Sequence, residues 1–534
     1  MSKFDPPEKK ARHAAVSRHF HIFCSAIGSF LFLVSLLFGA IIYHIRDLVS
    51  GREKQNAPKK DNSVSNYTVR EPFPDMKNLK VTKDLRYYAL QLGLDLEEYQ
   101  IITKDGYGLS LHRLIDPKDT EEKRNNRKPC LLQHGLLSCS GAWLTPGQNS
   151  LPFYFLEQGY DVWMGNNRCG FEPKHEHYSG NLMHNEEFWD WDIRSLASFD
   201  LPCIMDNVLS HKPNHDKLVL VGHSQGCTQS FLMLRNSKFT EYHKKIEKFF
   251  ALAPAIFPGS MFHDRTFIKF IHNRSPRAYD AIFGICCFMK ILGTTRKLIG
   301  TTRLFATLSY QMFKYLFGWG INNCHPDKKL LRIQFLFNVS YVSSRLMSWW
   351  LSYSVEEGFS NQLQPKEAFQ TGLNYAFTPV NSNENVLVVD ADEADIPHSE
   401  ASATEQEKSS EPQGNSADLE KSSPDKKVIP KPLTKTVPLT DDSKTFFPYK
   451  ETWFDFNDPE ELVPMVLFIA GSDFLVDGER LATHMCHYER HFYKEGENLK
   501  VVRIPEFNHL DVIWSSNVIG QIGMVIEEEL KSSV

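Results

Sequence analysis

Apolar residues are distributed very unevenly along the 534-residue chain. From Ile22 to Tyr43, "IFCSAIGSFLFLVSLLFGAIIY", 22 consecutive residues carry no charge. As a helix this run is roughly 33 Å long, enough to cross the hydrocarbon core of a bilayer. Further on, short apolar runs recur at wide intervals: "CLLQ" from Cys130, "YDVWM" from Tyr160, "LVLV" from Leu218 and "FFALAP" from Phe249. Two more follow much later, "MVLFIAG" from Met465 and "LKVVRIP" from Leu499. Runs this short, separated by helix-length stretches, predict parallel strands buried on both faces of an α/β sheet. Upstream, "EYQIITKDGYGLSLHRL" (98–114) alternates about Lys104-Asp105-Gly106 and predicts an antiparallel hairpin.

Two stretches break this rhythm. Residues 260–350 hold seventeen aromatics, with thirteen basic side chains against three acidic ones. Inserted between sheet strands, such a segment predicts a helical cap over an apolar pocket, assigned to 260–380. Its basic residues, Arg274, Arg277, Arg296 and Lys297 among them, would suit an anionic lipid surface. Residues 383–432 hold twelve acidic and five basic residues and no aromatics. They cannot bury enough apolar surface to offset chain entropy and predict a disordered acidic insert over 383–444. The remaining divisions are a basic tail (1–21), the anchor (22–43), a polar tether with Pro58, Pro72 and Pro74 (44–80), and the sheet domain in two parts (81–259 and 445–534).

The anchor is read as a single, uncleaved pass, leaving the membrane open between plasma membrane, endoplasmic reticulum and lipid droplet. A cleaved signal peptide has a shorter apolar stretch, about 7–15 residues, ending in a small-x-small site, and neither fits. Lys3, Lys9, Lys10, Arg12 and Arg18 precede the run, and Arg46, Arg52, Lys54, Lys59 and Lys60 follow it, so the positive-inside rule selects no side. The sequons at Asn66, Asn273 and Asn338 are compatible with a luminal or external main body. A net charge of −5 is small for this length and argues against nucleic acid as the main partner. Ten cysteines show neither C-x-x-C spacing nor a zinc-type array, and adjacent Cys286-Cys287 do not define a disulfide framework.

The chemistry concentrates at Gly222-His223-Ser224-Gln225-Gly226. This G-x-S-x-G fragment follows the apolar run from Leu218 and precedes the helix-compatible stretch Cys227–Arg235. It predicts a sharp strand-to-helix turn that holds Ser224 at a strained corner, with glycines where helix and strand approach closely. A serine hydroxyl needs an adjacent base, normally a histidine supported by a carboxylate. On sheets of this kind the order is Ser, Asp/Glu, His, each in a loop after a strand. Asp473 follows "MVLFIA" and His509 follows "VVRIP", and these are the expected acid and base. Asp477 competes for the acid, and Asp511 and Glu506 stand nearer His509 in sequence but after a different strand. The oxyanion donors are expected to be the backbone N–H groups of Gln225 and of Leu136, in "QHGLL". His134 is read as shaping that loop, His175 and His177 about Glu176 as surface residues, His223 as turned away from the reacting atoms, and Cys227 as core. No metal or cofactor is required.

Taken together, "QHGLLSCSGAW", "GYDVWMGNNRCG", "FWDWDIRSLASFDLP", "VGHSQG", "FALAPA", "AGSDFLVD" and "FNHLDVIW" resemble the acid lipase family of α/β-hydrolases, over roughly 80–260 and 460–520. With the N-terminal span, the chain is most similar to fungal membrane-anchored steryl ester hydrolases. The resemblance implies an α/β-hydrolase fold and hydrolysis of sterol esters to sterol and fatty acid. It also implies Ser224, Asp473 and His509 as the triad, with oxyanion donors at Leu136 and Gln225. Triacylglycerol or another acyl ester is the alternative substrate. A non-catalytic lipid-binding membrane protein is the alternative of another class. The acidic insert and the cap depart from the family pattern.

Overall fold

The computed structural model describes residues 13–49, 67–364 without 356, 386–389, 435–438 and 462–532 without 488, 490 and 491, plus residues 6 and 366. The chain divides into two compact units, one formed by 1–366 and 443–534, the other by 367–442. In the second, Val386–Val389 pairs antiparallel with Lys435–Pro438. The rest of the acidic insert expected at 383–444 lies outside the described residues, as do most of the basic tail and Asn66.

The first unit contains an eight-stranded sheet: β1 (Asp95–Ile102), β2 (Gly108–Ile115), β3 (Pro129–Gln133), β4 (Asp161–Gly165), β5 (Leu218–His223), β6 (Ile246–Leu252), β7 (Met465–Ala470) and β8 (Leu499–Ile504). Their spatial order is β1-β2-β4-β3-β5-β6-β7-β8. β1 and β2 form the antiparallel hairpin, turned at Gly106 with φ +88°, and β2 also runs antiparallel to β4. The other pairings are parallel. All six apolar runs become strands because helices cover both faces of the sheet. Alternation survives inside each run: Leu218 and Leu220 join the core cluster on one face, Val219 and Val221 that on the other.

The principal helices are α1 (Ala15–Val49), α2 (Leu201–Ser210), α3 (Gln225–Leu234), α4 (Thr266–His272), α5 (Pro276–Phe283), α6 (Ile291–Ile299), α7 (Arg303–Phe317), α8 (Lys328–Leu336), α9 (Ser344–Leu351), α10 (Gly478–His487) and α11 (Met524–Lys531). α4 to α9 fall between β6 and β7, in the stretch expected to form a cap; of that stretch, residues 356, 365 and 367–380 lie outside the described residues. Local chemistry sets their ends: Ser275, Thr302, Asp327 and Ser343 accept backbone N–H groups as N-caps, and Gly318 closes α7 at φ +64°. α1 is long and apolar enough to cross a membrane.

Three sequence expectations change. The second half of the tether is packed rather than free: Phe73 is buried, and Arg70 exchanges hydrogen bonds with Asn149. Arg296 is buried over the Phe171 ring and donates to the Leu336 carbonyl, so it does not belong to the basic surface set. Asn338 is also buried, with its amide donating to the Gln334 carbonyl, which removes it as an accessible sequon, whereas Asn273 is exposed.

Candidate active site

β5 delivers Ser224 to the C-terminal edge of the sheet, where loops between parallel strands and helices converge. The turn is as sharp as the glycines imply, with Ser224 at φ 52° and ψ −114°. A Cβ at Gly226 would lie 2.3 Å from the Gln133 carbonyl oxygen, and one at Gly222 would lie 3.0 Å from the Cys227 nitrogen. Only glycine lets α3 start this close to β3 and β5.

Asp473, after β7, and His509, after β8, meet Ser224 across 285 residues of chain: His509 Nε2 lies 2.8 Å from Ser224 Oγ, and Nδ1 lies 2.6 Å from Asp473 Oδ2. The hydroxyl is placed to donate to Nε2 while Nδ1–H donates to the carboxylate. Asp473 Oδ1 accepts from the amides of Leu475 (2.9 Å) and Val476 (3.2 Å), which holds the carboxylate in register. The competing carboxylates are engaged elsewhere. Asp477 caps α10 by accepting from the Arg480 amide, and burial raises its carboxyl above the ordinary range. Glu506 is exposed. Asp511 lies beneath the His509 loop, its Oδ2 accepting from the Asn508 amide (2.9 Å) and from Asn323 (2.8 Å). Burial pushes its carboxyl up to about 7.

The loop after β3 lies against the serine turn, and a Cβ at Gly135 would meet Ser224 Cβ at 3.1 Å. Leu136 lines the same cavity as Ser224 and His509. Gln225 is fixed by its side-chain oxygen, which accepts from Trp350 Nε1 at 3.2 Å. His134 shapes the loop: Nδ1–H donates to the Gly135 carbonyl and Nε2 accepts from the Asn167 amide. Burial brings its imidazole down to about 4, so it stays neutral. His175 is held by the Asp105 carbonyl and the amides of His177 and Tyr178, and Cys227 is core.

Sequence reasoning missed two residues whose contacts brace the site. His223 points away from the reacting atoms but not out of the site: its Nε2–H donates to the His509 backbone carbonyl at 3.0 Å. Burial, reinforced by the neighbouring His509 ring, brings His223 down to about 3, so it remains a neutral donor. Asn167 was missed likewise; its side-chain oxygen accepts from Gln133 and Gln229 and ties the β3, β4 and α3 ends together. The sequence signal for both was their place inside "VGHSQG" and "GNNRCG".

Above the three residues lies a deep cavity with mostly apolar walls, including Met261, Phe267, Phe288, Met347 and Trp350. Residues 85–147 match the family model described as a partial alpha/beta-hydrolase lipase region. The chain is 31% identical over 476 residues to sterol esterase 2 of Saccharomyces cerevisiae, covering 87% of this chain and 75% of that one. It is 36% identical to mouse gastric triacylglycerol lipase over 33% of this chain and 43% of the relative. The lysosomal acid lipase/cholesteryl ester hydrolase of Macaca fascicularis is 36% identical over 34% of this chain and 43% of its own length. The fold, the serine turn and a relative matched along most of its length agree: the chain is a carboxylic ester hydrolase and belongs to the acid lipase family of α/β-hydrolases.

Proposed function

We propose that the protein hydrolyses sterol esters of fatty acids at a lipid surface, to which α1 anchors it, with Ser224 as nucleophile, His509 as base and Asp473 as its acid partner. The observation that carries this reading is the relay of 2.8 and 2.6 Å hydrogen bonds at the floor of an apolar cavity. Ser224 Oγ attacks the ester carbonyl carbon as His509 Nε2 takes the hydroxyl proton. The backbone N–H groups of Leu136 and Gln225 receive the oxyanion. Collapse breaks the bond to the sterol oxygen, which leaves with the proton from His509 and exposes an acyl-serine. Water then attacks that ester, giving its proton to His509, and the fatty acid departs as Ser224 recovers its hydrogen. Asp473 stabilises the imidazolium in both halves.

Sterol esters are favoured over triacylglycerol by the reach of the similarity. An 87% match to the yeast sterol esterase leaves fewer residues unmatched than the cap contains, so it extends into the pocket walls. The gastric triacylglycerol lipase match covers only 33% of the chain. Lipid analysis of cells carrying Ser224→Ala separates the two: accumulated steryl esters support the proposal, and accumulated triacylglycerol replaces it. A wild-type protein that fails to label with a fluorophosphonate at Ser224 would leave only a lipid-binding role.

A further inference from the structure

α1 does more than a membrane anchor requires. It is 35 residues long, about 52 Å as a helix, and it is docked on the body along that length. Just before its start, His13 Nδ1 lies 2.9 Å from Glu186. In its middle, Ser29 donates to the Ile282 carbonyl (2.8 Å), and Phe32 packs on the Phe270 and Phe283 rings. Near its end, Asp47 pairs with Lys314 at 2.7 Å, both side chains almost fully buried. Two glycines permit the approach. A Cβ at Gly28 would sit 2.9 Å from Ile282 Cα, and one at Gly39 would sit 2.8 Å from the Tyr315 hydroxyl. Both positions let neighbouring helices approach α1 closely.

The docked face reaches the reaction site. Phe32, Leu33, Leu36 and Leu37 line the cavity that contains Ser224 and His509. These positions fall on one side of the helix at the i, i+1, i+4, i+5 spacing. The opposite side is exposed: Leu31 is 60% and Phe38 65% accessible, whereas Leu36 is 8%.

We propose that α1 is a wall of the ester-binding cavity, so that the anchor itself helps determine which hydrophobic esters fit. This rests on the reading of Ser224 as the nucleophile. A bulky acyl or sterol group in the cavity then lies against Leu33, Leu36 and Leu37, while the exposed face of the same helix meets lipid. The enzyme thus binds its substrate partly with the element that holds it in the lipid phase.

The test uses full-length protein and two substitutions of identical chemistry five residues apart. Leu36→Trp puts bulk into the cavity, and Leu31→Trp puts the same bulk on the exposed face. Each variant is assayed with a long-chain steryl ester and a butyrate ester, and its labelling at Ser224 by a fluorophosphonate is recorded. Leu36→Trp is expected to lower the ratio of kcat/KM for the long ester to that for the short one by about tenfold or more, the scale on which pocket volume discriminates. Leu31→Trp is expected to leave that ratio at the wild-type value. Leu33→Ala guards against misfolding by a large insertion, and enlarging the cavity should shift the ratio without loss of labelling. Labelled Leu36→Trp and Leu33→Ala proteins with wild-type ratios would overturn the assignment of α1 to the cavity. Failure of the wild type to label would overturn the serine mechanism instead.

Discussion

The backbone at Ser224 offers a test whose sign, not just its size, is at stake. Its φ of 52° with ψ −114° lies outside the regions an L-residue occupies at low energy, including the left-handed helical region. Such a conformation costs about 1–3 kcal/mol and persists only where surrounding structure enforces it. The enforcement is visible: the Ser224 amide is bonded to the Leu252 carbonyl, and α3 is pressed against the Gln133–His134 backbone. Ser224→Ala and Ser224→Gly both delete the hydroxyl and its bond to His509, so their difference isolates the Cβ. At an ordinary helical position glycine is less stable than alanine by about 0.5–1 kcal/mol. Here, strain relief outweighs that entropy term, and Ser224→Gly should be more stable than Ser224→Ala by about 1 kcal/mol. Urea unfolding of both full-length proteins in the same detergent reads the difference, with Ala278→Gly on α5 as a reference position where glycine should destabilise. If glycine is also the weaker residue at 224, the turn stores no strain and the argument is wrong.

Substitutions at three further positions test the same structure. Replacing His223 by Leu removes the donor to the His509 carbonyl and should lower kcat by about 10–100-fold, the scale of a misplaced catalytic group. His223 also titrates lower in the fold, about 3, than unfolded at 6.5, so its contribution to stability is present above pH 6.5 and lost as pH falls towards 3. His223→Leu should therefore flatten the pH dependence of unfolding there by up to about 1.4 kcal/mol per pH unit, and an unchanged slope would contradict a neutral, buried His223. Lys314→Met removes one member of the buried Asp47–Lys314 pair and should destabilise by about 3–5 kcal/mol, while the Asp47→Leu/Lys314→Met pair should recover most of it in a denaturation cycle. Gly226→Ala drives a methyl into the Gln133 carbonyl and displaces the Leu136 loop, so kcat should fall about 100-fold or more, with slower fluorophosphonate labelling in parallel.

What could be read from the sequence divides along a physical line. The three side chains proposed to react lie far apart in the chain, yet each sits one loop beyond a buried strand. A local pattern, an apolar run followed by Ser224, Asp473 or His509, therefore sufficed to place them, because a parallel sheet brings equivalent strand ends together whatever lies between. The aromatic-rich segment between Phe262 and Trp350 does form helices in the fold. Packing partners were not legible, since periodicity reports that a face is buried but not against what. An apolar run such as 22–43 satisfies lipid and protein equally, and only Gly28, Ser29 and Gly39 hint that part of it meets a helix. Charge counting placed Arg296 on the surface because nothing in sequence reveals that the Leu336 carbonyl and Phe171 ring await it. His223 shows the same limit inside the motif itself: its spacing from Ser224 is local, but the carbonyl it supports arrives 286 residues later. The bond-making chemistry is thus written in short segments, whereas the shape of the cavity that selects an ester is written in contacts between distant ones. Substitutions in α1, which touch no reacting atom, should accordingly alter substrate preference more than they alter reactivity of the serine.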